Sequence, residues 1–129
     1  ATAKLNSVIV GKYAEDIAKM AGFEVPKGTV ILAAECKEVG VNEPLTREKL
    51  SPVLAVLKST STEDGIEKSR QMVEFNGLGH SAAVHTQNAD VAEEFGKVVR
   101  ACRIIWNSPS SFGGIGDVYN AFIPYIRMW

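Results

Sequence analysis

Four short apolar runs, at residues 29–34, 52–57, 81–86 and 103–107, limit what this chain can fold into. Each is too short for a buried helix and suits a strand. The first two, Thr-Val-Ile-Leu-Ala-Ala and Pro-Val-Leu-Ala-Val-Leu, have no polar residue after the first position. That continuity predicts strands buried on both faces, as in a parallel sheet covered by helices. Pro52 has no N–H to give to a ladder, so it can only open its strand.

Helical spacing fills the intervals. Tyr13, Ala14, Ile17, Ala18 and Ala21 form one apolar stripe, and Gly22 supplies a stop. Hydroxyls at residues 59–62 and the acids Glu63 and Asp64 predict a helix start, with Ile66, Met72, Val73 and Phe75 following to Asn76-Gly77. Val91, Ala92, Phe95, Val98, Val99 and Cys102 predict a third helix, with Cys102 on its buried stripe. Gly96 inside it costs about 1 kcal/mol relative to Ala, which predicts close packing against a neighbour. Strands alternating with helices make the fold class α/β, a mostly parallel sheet with flanking helices, in a single segment over residues 1–129.

Charge and cysteine content narrow the function classes. Fourteen Lys and Arg against fifteen Asp and Glu give a net charge of −1, and no basic cluster supplies a nucleic-acid footprint. No apolar run approaches the roughly 18 residues of a membrane span, so neither nucleic acid nor membrane is expected as a partner. Two cysteines, Cys36 and Cys102, form neither a disulfide framework nor a metal pattern, which fits a reducing cytoplasm.

Parallel sheets place ligands at the carboxyl ends of their strands. Here those ends are Glu35-Cys36, Lys58-Ser59, His85-Thr86 and Asn107-Ser108. His80, in Gly-Leu-Gly-His, and His85 are the candidate general bases. Cys36 and Cys102 are expected to be structural, because free cysteine is among the most buried residue types. Glu43 and Glu48 lie in a polar loop where carboxylates are ordinarily surface groups. Residues 112–117, Phe-Gly-Gly-Ile-Gly-Asp, fail the phosphate-binding glycine pattern and read as a turn through which backbone can approach a ligand. These residues by themselves leave open a non-catalytic α/β binding or oligomerisation module and a generic nucleotide-binding domain.

Five stretches taken in order resemble the CoA-acylating branch of the aldehyde dehydrogenase superfamily. They are residues 21–26 (Ala-Gly-Phe-Glu-Val-Pro), 43–45 (Glu-Pro-Leu), 48–54 (Glu-Lys-Leu-Ser-Pro-Val-Leu), 77–82 (Gly-Leu-Gly-His-Ser-Ala) and 107–120, which opens Asn-Ser-Pro-Ser-Ser-Phe-Gly-Gly. The third resembles the superfamily's Glu-x-Phe-Gly-Pro-Val with Leu50 for Phe and Ser51 for Gly. The fourth resembles the acylating branch's Gly-x-Gly-His turn. The fifth is similar to the segment typical of bifunctional aldehyde-alcohol dehydrogenases. The likeness runs from about Leu5 to Pro124, after which the chain leaves the pattern.

The resemblance implies an enzyme that interconverts an aldehyde, such as acetaldehyde, plus CoA and NAD with an acyl-CoA and NADH, through a cysteine thioester. His80 matches the branch's active-site histidine, which either orients the thioester or takes the CoA thiol proton. Glu48 matches the glutamate that holds the nicotinamide ribose. The turn at Gly113 and Gly114 would close backbone over the site, with Asn107 and Ser110 near its rim. Neither cysteine aligns with the family's nucleophile, whose motif and dinucleotide-binding domain precede everything in this sequence. The expectation is a piece of the catalytic domain that is inactive alone and belongs to a homo-oligomeric parent.

Overall fold

The structure, a computed structural model, describes residues 6–79 and 81–111. The chain divides into two compact units, residues 1–61 and residues 62–129.

In the first unit a 3-10 turn at Ser7–Ile9 precedes helix α1, Ala14–Met20. Ala14, Ile17 and Ala18 are buried, so the one-four-five spacing is the buried stripe. Tyr13 is 80% exposed, because it is the N-cap residue and has already left the helical path. Strand β1, Leu32–Cys36, and strand β2, Val53–Leu57, pair in parallel from Leu32↔Val53 to Cys36↔Leu57.

Two expectations about these strands are corrected. The first strand starts at Leu32 and not at Thr29. Both the N–H and the hydroxyl of Thr29 donate to the Pro26 carbonyl, at 3.2 and 2.7 Å, and hold that stretch in a turn. Leu32 N–H donates to Pro52 O at 2.9 Å, and Pro52 has no N–H with which to carry the ladder further upstream. Nor are the strands buried on both faces. Ala33, Glu35, Leu54 and Val56 are exposed and share one side of the ladder, because successive side chains alternate between faces.

The second unit comprises helix α2, Thr62–Asn76, strand β3, Ser81–Val84, helix α3, Ala89–Val98, and strand β4, Arg103–Trp106. β3 and β4 are parallel, from Ser81↔Arg103 to Val84↔Trp106. Among the described residues the strand pairing is therefore a two-stranded parallel ladder in each unit. Ile66 of α2 packs with Phe95 and Val99, and Val73, Ala82, Val84 and Val98 close around them. Asn88 caps α3 by accepting the Asp90 N–H at 2.9 Å, with Asp90 in the first turn and Lys97 in the last, as the helix dipole favours.

α3 ends before the cysteine that its spacing appeared to reach. Val99 turns to extended backbone (φ −83°, ψ 112°) so that the chain can enter β4 at Arg103. Cys102 lies in that connection and is exposed, not on a buried stripe. Gly96 is likewise not explained by close packing: among the described residues nothing lies within 4 Å of a Cβ placed there. Gly96→Ala is accordingly expected to stabilise the chain by about 0.5–1 kcal/mol through the lower entropy of its unfolded state, measured as a higher denaturation midpoint. A lower midpoint would reveal a neighbour that the described residues do not include.

The outer side of α2 is laced by charge. Arg70 Nε and Nη2 donate to both Glu67 oxygens, at 2.8 and 2.6 Å, and Nη1 donates to Glu74 at 2.5 Å. Arg70, and then Gln71 with its own bond to Glu67 at 2.8 Å, hold the Glu67 carboxyl down at about 2. A depressed carboxylate contributes stability above its unfolded pKa, near 4.5, and loses that contribution as pH falls towards about 2. Helix content followed by circular dichroism from pH 5 to 2 should therefore fall less steeply in Arg70→Met than in the unsubstituted chain. Equal slopes would show that the pairing contributes nothing, the usual outcome for isolated surface pairs.

Candidate active site

The carboxyl ends of β3 and β4 are joined by a set of polar contacts. Past the last ladder pair, Asn107 N–H donates to Val84 O at 2.9 Å. The Asn107 carboxamide then engages one residue twice: Oδ1 accepts the Thr86 N–H at 2.9 Å and Nδ2 donates to Thr86 O at 2.8 Å. Trp106 Nε1 donates to the same carbonyl at 3.0 Å. Thr86 Oγ1 accepts the Asn88 N–H at 3.1 Å and so links this end of the sheet to the cap of α3. Asn107 has φ +52°, in the left-handed region that asparagine tolerates better than most residues. Ser110 follows, exposed. His85, the alternative strand-end histidine, is exposed just beyond β3.

At the other end of β3, Gly77, Leu78 and Gly79 take successive positive φ values of +87°, +23° and +129°. The first ends α2, its N–H donating to Glu74 O at 3.2 Å. Such a run explains why glycine occupies the two positions flanking Leu78. His80 comes next in sequence and lies outside the described residues, as do Gly113 and Gly114. Among the described residues nothing lies within 4 Å of a Cβ placed at Gly79, so the cost they imply is conformational. Gly79→Ala should destabilise by about 1–3 kcal/mol, opposite in sign to Gly96→Ala, in the same denaturation measurement. A neutral result would mean that the backbone here relaxes freely.

In the first unit, the loop between β1 and β2 carries Glu48, which is exposed. Thr46 organises the loop from within: it is 1% exposed, donates its hydroxyl to Glu43 O at 2.7 Å and accepts the Gly40 N–H at 3.2 Å. Glu43 accepts the Lys37 N–H at 3.2 Å. Lys49 donates its ammonium to the carbonyls of Leu45 and, at 2.9 Å, Arg47. Cys36 is buried at the end of β1, its sulfur 3.8 Å from the Ala34 carbonyl oxygen. Burial pushes the Cys36 thiol up and Glu43 adds to the shift, against the opposing charge of Lys49. Burial likewise lowers Lys49, which the Cys36 thiolate would raise. A thiol held in its neutral form is a poor nucleophile, as expected of a structural cysteine. Leu50 takes φ +47°, and Ser51, where the motif has glycine, buries a hydroxyl without a partner among the described residues.

Sequence reasoning placed Asn107 at a ligand's rim. The geometry gives its carboxamide to Thr86, named above only as part of a strand end, and Trp106 and Thr46 emerge as organising residues that were not singled out. A strand-end asparagine was the one available signal for the first pair. Nothing in the pattern distinguishes Thr46 from other loop hydroxyls.

No family model matches the chain. Over 99% of its length it is 72% identical to the aldehyde-alcohol dehydrogenase of Streptococcus pneumoniae serotype 4, and over 90% it is 44% identical to the bifunctional aldehyde-alcohol dehydrogenase of Escherichia coli K12. It spans 14% and 13% of those relatives, about a seventh of their length. Among solved structures, it is similar to an acetylating aldehyde dehydrogenase from Geobacillus thermoglucosidasius, with a TM-score of 0.82 at 40% identity, covering 90% of this chain and 26% of that one. These relatives do not favour a non-catalytic module.

Proposed function

We propose that this chain, which is similar over nearly its whole length to aldehyde-alcohol and acetylating aldehyde dehydrogenases, serves as one segment of an enzyme that converts acetaldehyde, CoA and NAD to acetyl-CoA, NADH and a proton, and the reverse. The observation that carries this reading is the 72% identity over nearly the whole chain to an aldehyde-alcohol dehydrogenase.

His80 is the residue of this segment assigned to the acyl transfer. A histidine with its ordinary pKa near 6.5 is mostly neutral at pH 7 and can accept the proton of a thiol that titrates near 8.5. The left-handed run at residues 77–79 immediately precedes it in sequence. The attacking cysteine is assigned outside this segment, because neither Cys36, buried at the end of β1, nor the exposed Cys102 matches the position of the family's nucleophile.

NAD, when bound, supplies the hydride acceptor. Glu48 fits a role in holding it: an exposed carboxylate has two oxygens that can accept from neighbouring ribose hydroxyls. The resemblance assigns Gly113 and Gly114 to a turn that closes over the site, with Asn107 and Ser110 near its rim. The parent is read as a cytoplasmic homo-oligomer; among the described residues no helix is long and apolar enough to cross a membrane.

The reading is tested by assaying NADH formation from acetaldehyde and NAD, with and without CoA, using the full-length protein that carries this segment. Turnover that requires CoA supports it, and aldehyde oxidation indifferent to CoA overturns it.

A further inference from the structure

We infer that Asn107 is a positioning residue: its carboxamide clamps the loop between β3 and α3 to the end of β4 and so fixes the edge from which residues 108–111 depart. This inference rests on the proposed function for its catalytic consequence, but not for the clamp itself.

The geometry is that of a ladder extended by a side chain. Hydrogen-bond pairing between β3 and β4 ends at Val84↔Trp106. One residue further, a regular strand would use backbone groups to meet Thr86. The left-handed turn at Asn107 (φ +52°) takes the backbone away from that path, and the carboxamide stands in for it, offering an acceptor to Thr86 N–H at 2.9 Å and a donor to Thr86 O at 2.8 Å. A carboxamide presents a donor and an acceptor side by side in one plane without carrying charge, whereas an ionised carboxylate only accepts. Thr86 relays the constraint, because its hydroxyl holds the Asn88 N–H and Asn88 caps α3. Two demands therefore meet at one position: tolerance of positive φ and a paired donor and acceptor. Asparagine meets both, glycine only the first, and aspartate the first with half of the second.

A residue that binds cofactor and a residue that positions the site differ in kinetics. Loss of a binding group raises KM, whereas misplacement of reacting groups by even about 1 Å lowers kcat, by up to about 100-fold. Asn107 belongs to the second case because its carboxamide is already engaged on both sides.

The clamp is tested in the 129-residue chain by amide hydrogen exchange. The Thr86 N–H should exchange at least tenfold faster in Asn107→Gly, yet stay protected in Asn107→Asp, whose carboxylate can still accept it. Unchanged Thr86 exchange in Asn107→Gly would overturn the clamp. The consequence is tested in the full-length protein at a temperature where all variants are folded. There kcat should fall at least tenfold in Asn107→Gly and to an intermediate value in Asn107→Asp, with KM for NAD and CoA within twofold of the unsubstituted enzyme. A raised KM with kcat retained would make Asn107 a ligand-binding residue, and unchanged kinetics would make the clamp merely structural; either overturns the positioning role. If the unsubstituted protein shows no CoA-dependent turnover, the functional reading fails while the Thr86 exchange result still decides the clamp.

Discussion

Phe95→Ala is expected to destabilise the 129-residue chain by about 3–5 kcal/mol, a large part of the roughly 5–15 kcal/mol that holds a typical domain together. Phe95 is 5% exposed and sits between Ile66 and Val99, with α2, β3 and its own helix contributing the surrounding side chains. Removing the ring forfeits its burial and leaves a cavity that two short strands and two helices close only in part. Chemical denaturation followed by tryptophan fluorescence should show the midpoint fall accordingly. Phe95→Leu, which keeps most of the volume, should recover most of the loss. Tyr13→Ala provides the contrast: at 80% exposure its effect should stay within about 0.5 kcal/mol. Equal effects at the two positions would mean that the second unit has no core centred on Phe95.

His80→Ala in the full-length protein should lower CoA-dependent NADH formation by about 100-fold or more, the range in which a positioned general base contributes. His80→Gln keeps a polar group of similar reach without a titratable nitrogen. It should be nearly as impaired if proton transfer is the role, and largely active if orienting the thioester is. His85→Ala, at an exposed position beyond β3, should leave the rate within about twofold. A His80→Ala variant with unchanged rate would remove the residue from the chemistry.

The elements differ in how plainly the sequence announced them. α3 was legible from its apolar stripe from Val91 to Val99, and the structure adds an asparagine cap and an acidic first turn. The burial of β1 and β2 was not, because Leu54 and Val56 are as apolar as any buried strand residue and still face outward. What covers a strand face is decided by tertiary partners and not by the strand's own composition. The end of α3 was misjudged for a related reason: Cys102 continues the helical period, but the entry into β4 at Arg103 overrides it.

The candidate site shows the same division. His80 was selected by the order of motifs, not by periodicity, and strand-end position by itself would have preferred His85. The glycines at 77 and 79 fit the motif for a reason now visible in their backbone angles. Asn107 was legible as a strand-end residue, but its bonds to Thr86 join residues far apart in sequence, a pairing that no local pattern encodes.

The central claim is that this segment serves CoA-dependent acyl transfer, and the most direct test compares two proteins in one assay. The full-length protein and the 129-residue chain are each given acetaldehyde and NAD, with and without CoA, and both NADH and acetyl-CoA are measured. The account predicts equal amounts of the two products from the full-length protein, dependence on CoA, and no turnover by the 129-residue chain. NADH formed without acetyl-CoA, or turnover by the 129 residues alone, would contradict it.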